Sequence, residues 1–304
     1  MDHPLVTEGH ADLRKRMIQL LKTAYSIRRS SNIIFVCGGN DPSNLRPRFA
    51  KFCDAEFTEY EIFYPEFAIP KYFSSPIDEP FDIADFETLV GELSHAIVVF
   101  PEAPGSFAET GYFSAVEPLS KKTVLVLNEE YQGTDSFLSM GPARKISEAS
   151  VFQSTVQLDY KNPNFNHVVD RINRVQVKKY KKTLNINQFN ALPPYEVFCV
   201  VQRIVDLMTI ATTDDLVHII RALSLNRFSP VSVRKIVSIM IGSGYLNEVG
   251  EYGHLSSAQN KMSLLDLRDG YRDKENALRL ELAASYQEGD PEFLSIAELS
   301  RDVG

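Results

Sequence analysis

Four short apolar runs set the frame of the first part of the chain. NIIFVCGG (32–39), EYEIFYPE (59–66), AIVVFPE (96–102) and KTVLVLNEE (122–130) are rich in β-branched and aromatic residues. Each is closed by glycine, proline or acid, which predicts buried strands, and VFQSTVQL (151–158) predicts a fifth. Apolar residues at helical spacing predict helices over about 10–28, 43–54, 82–94, 106–117 and 135–148. Strands alternating with helices in this way predict an open parallel α/β sheet of Rossmann or flavodoxin type, wound by right-handed crossovers.

Beyond about residue 160 the pattern changes. FNHVVDRINRVQVKKYKK (165–182) predicts a basic helix, and NALPPYE (190–196) breaks it. Helices follow over about 196–209, 214–224 and 230–241, and SGYLNEVGEYGHLSS (243–257) predicts a two-stranded hairpin. Three helices and a small β wing outline a winged helix-turn-helix, whose third helix can enter a major groove. The expected division is an α/β domain over 1–158, a basic helical linker over 159–194, and a winged-helix domain with a C-terminal helix over 195–304.

Composition narrows the classes. A chain of 304 residues suits two domains, and 44% hydrophobic with 24% charged residues is ordinary for a globular protein. Three widely spaced cysteines, Cys37, Cys53 and Cys199, suggest neither a disulfide framework nor a zinc site, so a reducing cytoplasm is expected. The charged N-terminal stretch does not read as a signal peptide. The apolar stretch VFCVVQRIVDLMTIA carries Arg203 and Asp206, which excludes a membrane span there. The net charge of -8 conceals an asymmetry. Residues 54–92 hold eleven acids against the single Lys71, whereas Arg171, Arg174, Lys178, Lys179, Lys181 and Lys182 form an acid-free basic run. That run is either a solvated helix face or a set of phosphate contacts for nucleic acid, joined by Arg234 and Lys235 on the third helix of the wing module.

Ligands of open α/β sheets bind outside the carboxyl ends of the strands. Cys37-Gly38-Gly39, Pro65-Glu66 and Pro101-Glu102 are placed there. In FPEAPGSFAETG (100–111), Ser106-x-x-Glu109 matches a capping box, with Ser106 as N-cap and Glu109 bonding back to it. The same helix start offers backbone N–H groups to a phosphate or oxyanion, and Gly105 permits close approach. Glu109 would then sit where a carboxylate attacks or stabilises an electrophilic sugar carbon. Glu102 is either a hydroxyl-binding acid or a solvated loop residue, and Glu66 is read the same way. The chain has no G-x-G-x-x-G, P-loop or G-x-S-x-G motif, and its histidines lack metal-ligand spacing.

CGGN, FYPE, FPEAPGSFAETGYFS and FLSMGPARK, in this order, resemble the effector toxins of retron anti-phage systems. Those toxins join an N-terminal nucleoside 2-deoxyribosyltransferase-like domain to a C-terminal winged helix, and the likeness spans about residues 30–260. The resemblance implies N-glycosidase chemistry on nucleotides, with NAD cleaved at its nicotinamide–ribose bond as substrate, not kept as a cofactor. It also implies assembly with a reverse transcriptase and its multicopy single-stranded DNA–RNA product, and a homo-oligomer or larger assembly. By that resemblance Glu109 takes the place of the catalytic glutamate and Glu102 that of the acid before it. Glu87 falls near the family acid on the helix before the third strand, although a solvated helix-face glutamate reads equally well. Cys37, Gly38, Gly39, Gly105 and Ser106 are the expected substrate contacts. The Pro-Gly-Ser before Glu109 departs from the true transferases. Two other readings stand beside this one. One is a phosphoribohydrolase similar to the cytokinin-activating family, and the other is a winged-helix regulator that only senses a nucleotide.

Overall fold

The computed structural model describes residues 3–64, 82–131, 136–153, 155–177, 179–261, 263–288 and 291–302. The expected positions Pro65, Glu66 and Lys178 lie outside them.

In chain order, α1 (Ala11–Thr23) is followed by β1 (Tyr25–Arg29), β2 (Ile33–Cys37), α2 (Leu45–Glu56) and β3 (Glu61–Phe63). Then come α3 (Ile83–Leu93), β4 (Ala96–Val99), α4 (Pro104–Ala115), α5 (Glu117–Ser120) and β5 (Thr123–Asn128). A π-helical turn over Ser139–Ala143 leads into α6 (Arg144–Ala149), β6 (Val156–Leu158) and α7 (Asn166–Asn173). The remainder is β7 (Lys179–Thr183), α8 (Pro194–Met208), α9 (Thr213–Leu223), α10 (Pro230–Gly242), β8 (Leu246–Val249), β9 (His254–Ser257), β10 (Leu265–Leu267), α11 (Arg272–Glu288) and α12 (Pro291–Asp302).

Two compact units divide these elements. Residues 30–64 and 82–177 form the first, a five-stranded parallel sheet in the order β3-β2-β4-β5-β6. The five expected strands are all present in it. Strand order reverses between β2 and β4, so the crevice beyond their carboxyl ends is the topological switch point. Residues of β2 are buried throughout, as a central parallel strand requires. Ile34 and Val36 join the core cluster of Phe49 on α2, Phe100 and Phe165, with ring centroids 5.5 Å apart for Phe49–Phe100 and 5.3 Å for Phe49–Phe165. Phe35 points the other way and meets Phe113 of α4 at 6.1 Å. Strand alternation therefore puts Cys37, two residues past Phe35, on the α4 side, at the strand's last position.

The second unit contains residues 3–29 and 179–302. This departs from the sequence-based division, because the N-terminal helix and strand belong with the C-terminal elements. The helix expected over 10–28 stops at Thr23, and YSIRR becomes β1, which pairs antiparallel with both β7 and β10. Tyr25 at its start is fixed by a 2.6 Å hydrogen bond from its hydroxyl to Glu275 and by the Arg203 guanidinium 4.8 Å from its ring centroid. The basic helix expected over 165–182 is also divided: α7 ends at Asn173, and KYKKT is strand β7.

Helices α8, α9 and α10 and the β8–β9 hairpin fall close to the expected ranges. Thr212 caps α9, accepting from the Asp215 N–H at 3.2 Å while Asp215 accepts the Thr212 N–H at 2.8 Å. Between α8 and α9, Ala211 pairs antiparallel with Leu255 of β9. Among the described residues, no helix is long and apolar enough to cross a membrane.

Candidate active site at the switch point of the parallel sheet

Helix α4 starts three residues earlier than the capping-box pattern predicts. Pro104 occupies the first helical position, where its fixed φ is favourable and its missing N–H costs nothing. Ser106 is consequently the third helical residue, not the N-cap. Its buried hydroxyl accepts from the N–H groups of Glu102 and Ala103, both at 3.1 Å, and donates to the Ala103 carbonyl at 2.9 Å. Glu109 moves from the first turn into the second. It lies one turn before Phe113, so it shares the helix face that packs on Phe35 and points along the sheet toward Cys37.

Cys37, Glu109 and Glu87 meet on this side of the sheet. The Cys37 thiol is fully enclosed and hydrogen-bonds the Glu109 carboxylate; burial, the charge of Glu109 and then that of Glu87 hold it well above the usual thiol range. Glu87 is buried on α3, whose side chains Phe86 and Val90 pack inward with it. Burial, followed by the negative charge of Glu109, pushes its pKa up to about 8. Helix α3 is tied to α4 by a 2.8 Å hydrogen bond between the Thr88 and Tyr112 hydroxyls. The arrangement is a half-buried glutamate, one of whose carboxylate oxygens is enclosed, beside a carboxyl group that is protonated at neutral pH, the separation of roles that acid–base sites use. Of the two readings for Glu87, the solvated helix face does not describe it.

Glu102 is placed differently from either expectation. One carboxylate oxygen accepts the N–H of Gly39 and that of Arg46, each at 3.1 Å, and the other accepts the N–H of Leu45 at 2.7 Å. The side chain thus crosses from the end of β4 to the glycine turn after β2 and to the first turn of α2. Gly38 lies directly beneath: a Cβ there would fall 2.8 Å from the Arg46 Cβ and 2.9 Å from the Glu102 oxygen. Gly38→Ala is therefore expected to cost about 1–3 kcal/mol by overpacking. A urea unfolding curve checks this, and an unchanged midpoint would contradict it. Gly105 has open space where its Cβ would be, so the protein itself imposes no steric need for glycine there.

Arg46 belongs to this site, although no sequence motif marks it. It is buried in the first turn of α2, sits over the Tyr64 ring at 5.6 Å, and its charge acts on Cys37. A cation at a helix N-terminus opposes the macrodipole. In DPSNLRPR that misplacement is the signal which could have flagged it.

The predicted basic residues are divided between the two units. Arg171 and Arg174 lie at the end of α7 in the sheet unit, where Arg174 donates to Gln153 at 2.6 Å. Lys179 and Lys181 belong to β7 in the other unit, and Lys182 is ion-paired with Glu196. On α10, Arg234 bonds Asp214 at 2.7 Å and Lys235 is half-buried.

Two Escherichia coli proteins are similar over part of the chain. One, named "Retron Ec86 putative ribosyltransferase/DNA-binding protein", is 32% identical over 121 residues, 38% of this chain and 38% of its own length. The other, the Retron Ec73 protein of the same description, is 28% identical over 132 residues, 42% of each chain. The similarity thus spans about two fifths of the length of these relatives. The family described as "STM3845 retron effector protein" matches residues 42–248, which include Glu87, Glu102 and Glu109 and reach through α8, α9 and α10 into β8. With more than half of its residues matched, the chain belongs to the STM3845 retron effector family.

Proposed function

We propose that this retron effector is an N-glycosidase that cleaves the base–ribose bond of a nucleotide, with NAD hydrolysis to nicotinamide and ADP-ribose as the leading reaction. The observation that carries the proposal is the pairing, at a sheet switch point, of the Glu109 carboxylate with a Glu87 carboxyl held protonated. The relatives' description as ribosyltransferases supports the same bond class.

In this mechanism Glu109 lies beneath the anomeric carbon. It stabilises the oxocarbenium centre or bonds to it as a ribosyl ester, while Cys37 donates its S–H to the carboxylate and fixes its orientation. The C1′–N bond breaks with its electron pair going to the base. Nicotinamide leaves neutral because it was cationic in NAD. Water then bonds to C1′ and releases one proton. Gly105 and the Ser106 N–H at the start of α4, and the Arg46 cation, are the groups assigned to substrate phosphate. Exposed Phe107, together with Phe137 and Met140 in the segment after β5, gives the same sheet edge an apolar surface on which a base can stack.

A second enzyme reading is favoured by Glu87 itself. A neutral carboxyl at pH 7 can protonate a base that would otherwise leave as an anion, which suits deoxyribosyl transfer or hydrolysis of nucleoside monophosphates.

Control is assigned to assembly with a reverse transcriptase and its multicopy DNA–RNA product. The order α8, Ala211 bridge, α9, α10, β8, β9 supports reading this module as a winged helix. That module is assigned to the assembled partner complex; Arg234 on α10 is ion-paired with Asp214. The test is base release by the full chain, alone and co-expressed with its reverse transcriptase, from NAD, deoxynucleosides and nucleoside monophosphates. Release from none of them in either state would leave the nucleotide-sensing regulator as the better reading.

A further inference from the structure

We infer that Glu102 is the positioning residue of this site, a built-in anion that locks the switch point, and not an acid that meets the sugar. A carboxylate has about four lone-pair directions. Three are filled here by backbone N–H groups of Gly39, Leu45 and Arg46, at 3.1, 2.7 and 3.1 Å. A glycine turn followed by a helix start is the arrangement that receives a phosphate in many α/β proteins. In this chain a side chain delivered from the next strand occupies it, and the space above Gly38 is closed by the same oxygen.

The backbone of Glu102 is itself pinned by the Ser106 hydroxyl, which also holds Ala103. One residue therefore ties three elements together: the turn that begins at Cys37, the start of α2, and the start of α4. Helix α4 carries Glu109, and Cys37 is the group that orients it. The separation between thiol and carboxylate is set by this tie. A substrate phosphate is directed elsewhere, because the α2 amides are already satisfied.

The tests use the full chain. Glu102→Ala frees three converging N–H donors, so its melting temperature should fall by several degrees and rise again in formate, whereas chloride at equal ionic strength should do less. The wild type should show no such preference for formate. Glu102→Gln fills the space but turns an amide NH2 toward N–H donors, so it should melt lower and not respond to formate. A Glu102→Gln protein as stable as the wild type would overturn the inference even if Glu102→Ala does not fold. The kinetic arm rests on the glycosidase reading. In it kcat should fall by roughly tenfold or more with KM changed by less than about twofold, and formate should recover part of the loss for Glu102→Ala. A raised KM with an unaltered, formate-insensitive melting temperature would instead make Glu102 a substrate ligand. The melting measurements need no substrate, so they stand if no base is released.

Discussion

Glu109→Gln is expected to lower base release by about 10³-fold while the protein keeps its fold. Glutamine preserves the size of the side chain and its place on the Phe113 face of α4, but it removes the charge that the proposed mechanism sets against the developing oxocarbenium centre. It also cannot form a stable ribosyl ester. One carboxylate oxygen is enclosed, and the glutamine amide replaces it with no added volume and no added buried charge. Two electrostatic neighbours should respond. Glu109 is the second cause, after burial, of the raised Glu87 pKa, and the largest charge acting on the Cys37 thiol. Both groups should therefore titrate lower in the variant. Chromatographic measurement of released base gives the rate, and a thermal melt verifies the fold. Activity within about tenfold of the wild type would remove Glu109 from the reacting centre. Growth arrest by the wild type but not by the variant in cells carrying the retron would tie the same carboxylate to the defence role.

What is legible in the sequence follows the range of the forces involved. Strands β2 to β6 can be read locally because a parallel sheet covered on both faces needs continuous apolar runs, and IIFVC and AIVV supply them. Pro101 and the glycines after Cys37 mark where these strands stop, and so mark the crevice. By contrast, YSIRR merges with the preceding helical pattern because its partners lie at 179–183 and 265–267. A strand on the margin of a helical pattern cannot be recognised without them. RVQVKKYKK misleads for a related reason, since its lysines dominate the composition while β7 is specified by pairing with β1. Glu109 is found through its motif and Glu87 through the resemblance alone. That Glu87 is buried depends on how α3 packs, which no local pattern encodes. The role of Glu102 is out of reach in another way. Its partners are backbone N–H groups, which every residue but proline possesses, so the side-chain sequence holds no trace of them.

The Glu87 carboxyl links stability to pH in a direction opposite to that of most carboxylates. Its pKa in the folded protein is about 8, against 4.5 for an ordinary glutamate, so the folded state holds a proton that the unfolded state has released. Stability from this group is fully present below pH 4.5, declines between pH 4.5 and 8, and is lost once pH has risen through 8. Between pH 5 and 8 the decline amounts to about 3 kcal/mol. Glu87→Gln should remove that slope and make the protein more stable than the wild type at pH 8, as urea unfolding at a series of pH values would show. A wild-type slope no steeper than that of the variant would mean that Glu87 is not held neutral. Activity separates the two enzyme readings on the same axis. If Glu87 protonates the departing base, turnover falls above pH 8 and Glu87→Gln is slower by about 10²-fold at neutral pH. If nicotinamide leaves from NAD without a proton, turnover is level through pH 8 while stability still declines, because the cationic base already carries the charge that an acid would supply. The second outcome would leave Glu87 with a purely electrostatic role, since as a neutral neighbour it adds no second negative charge beside Glu109, whose ionised form the proposed reaction needs.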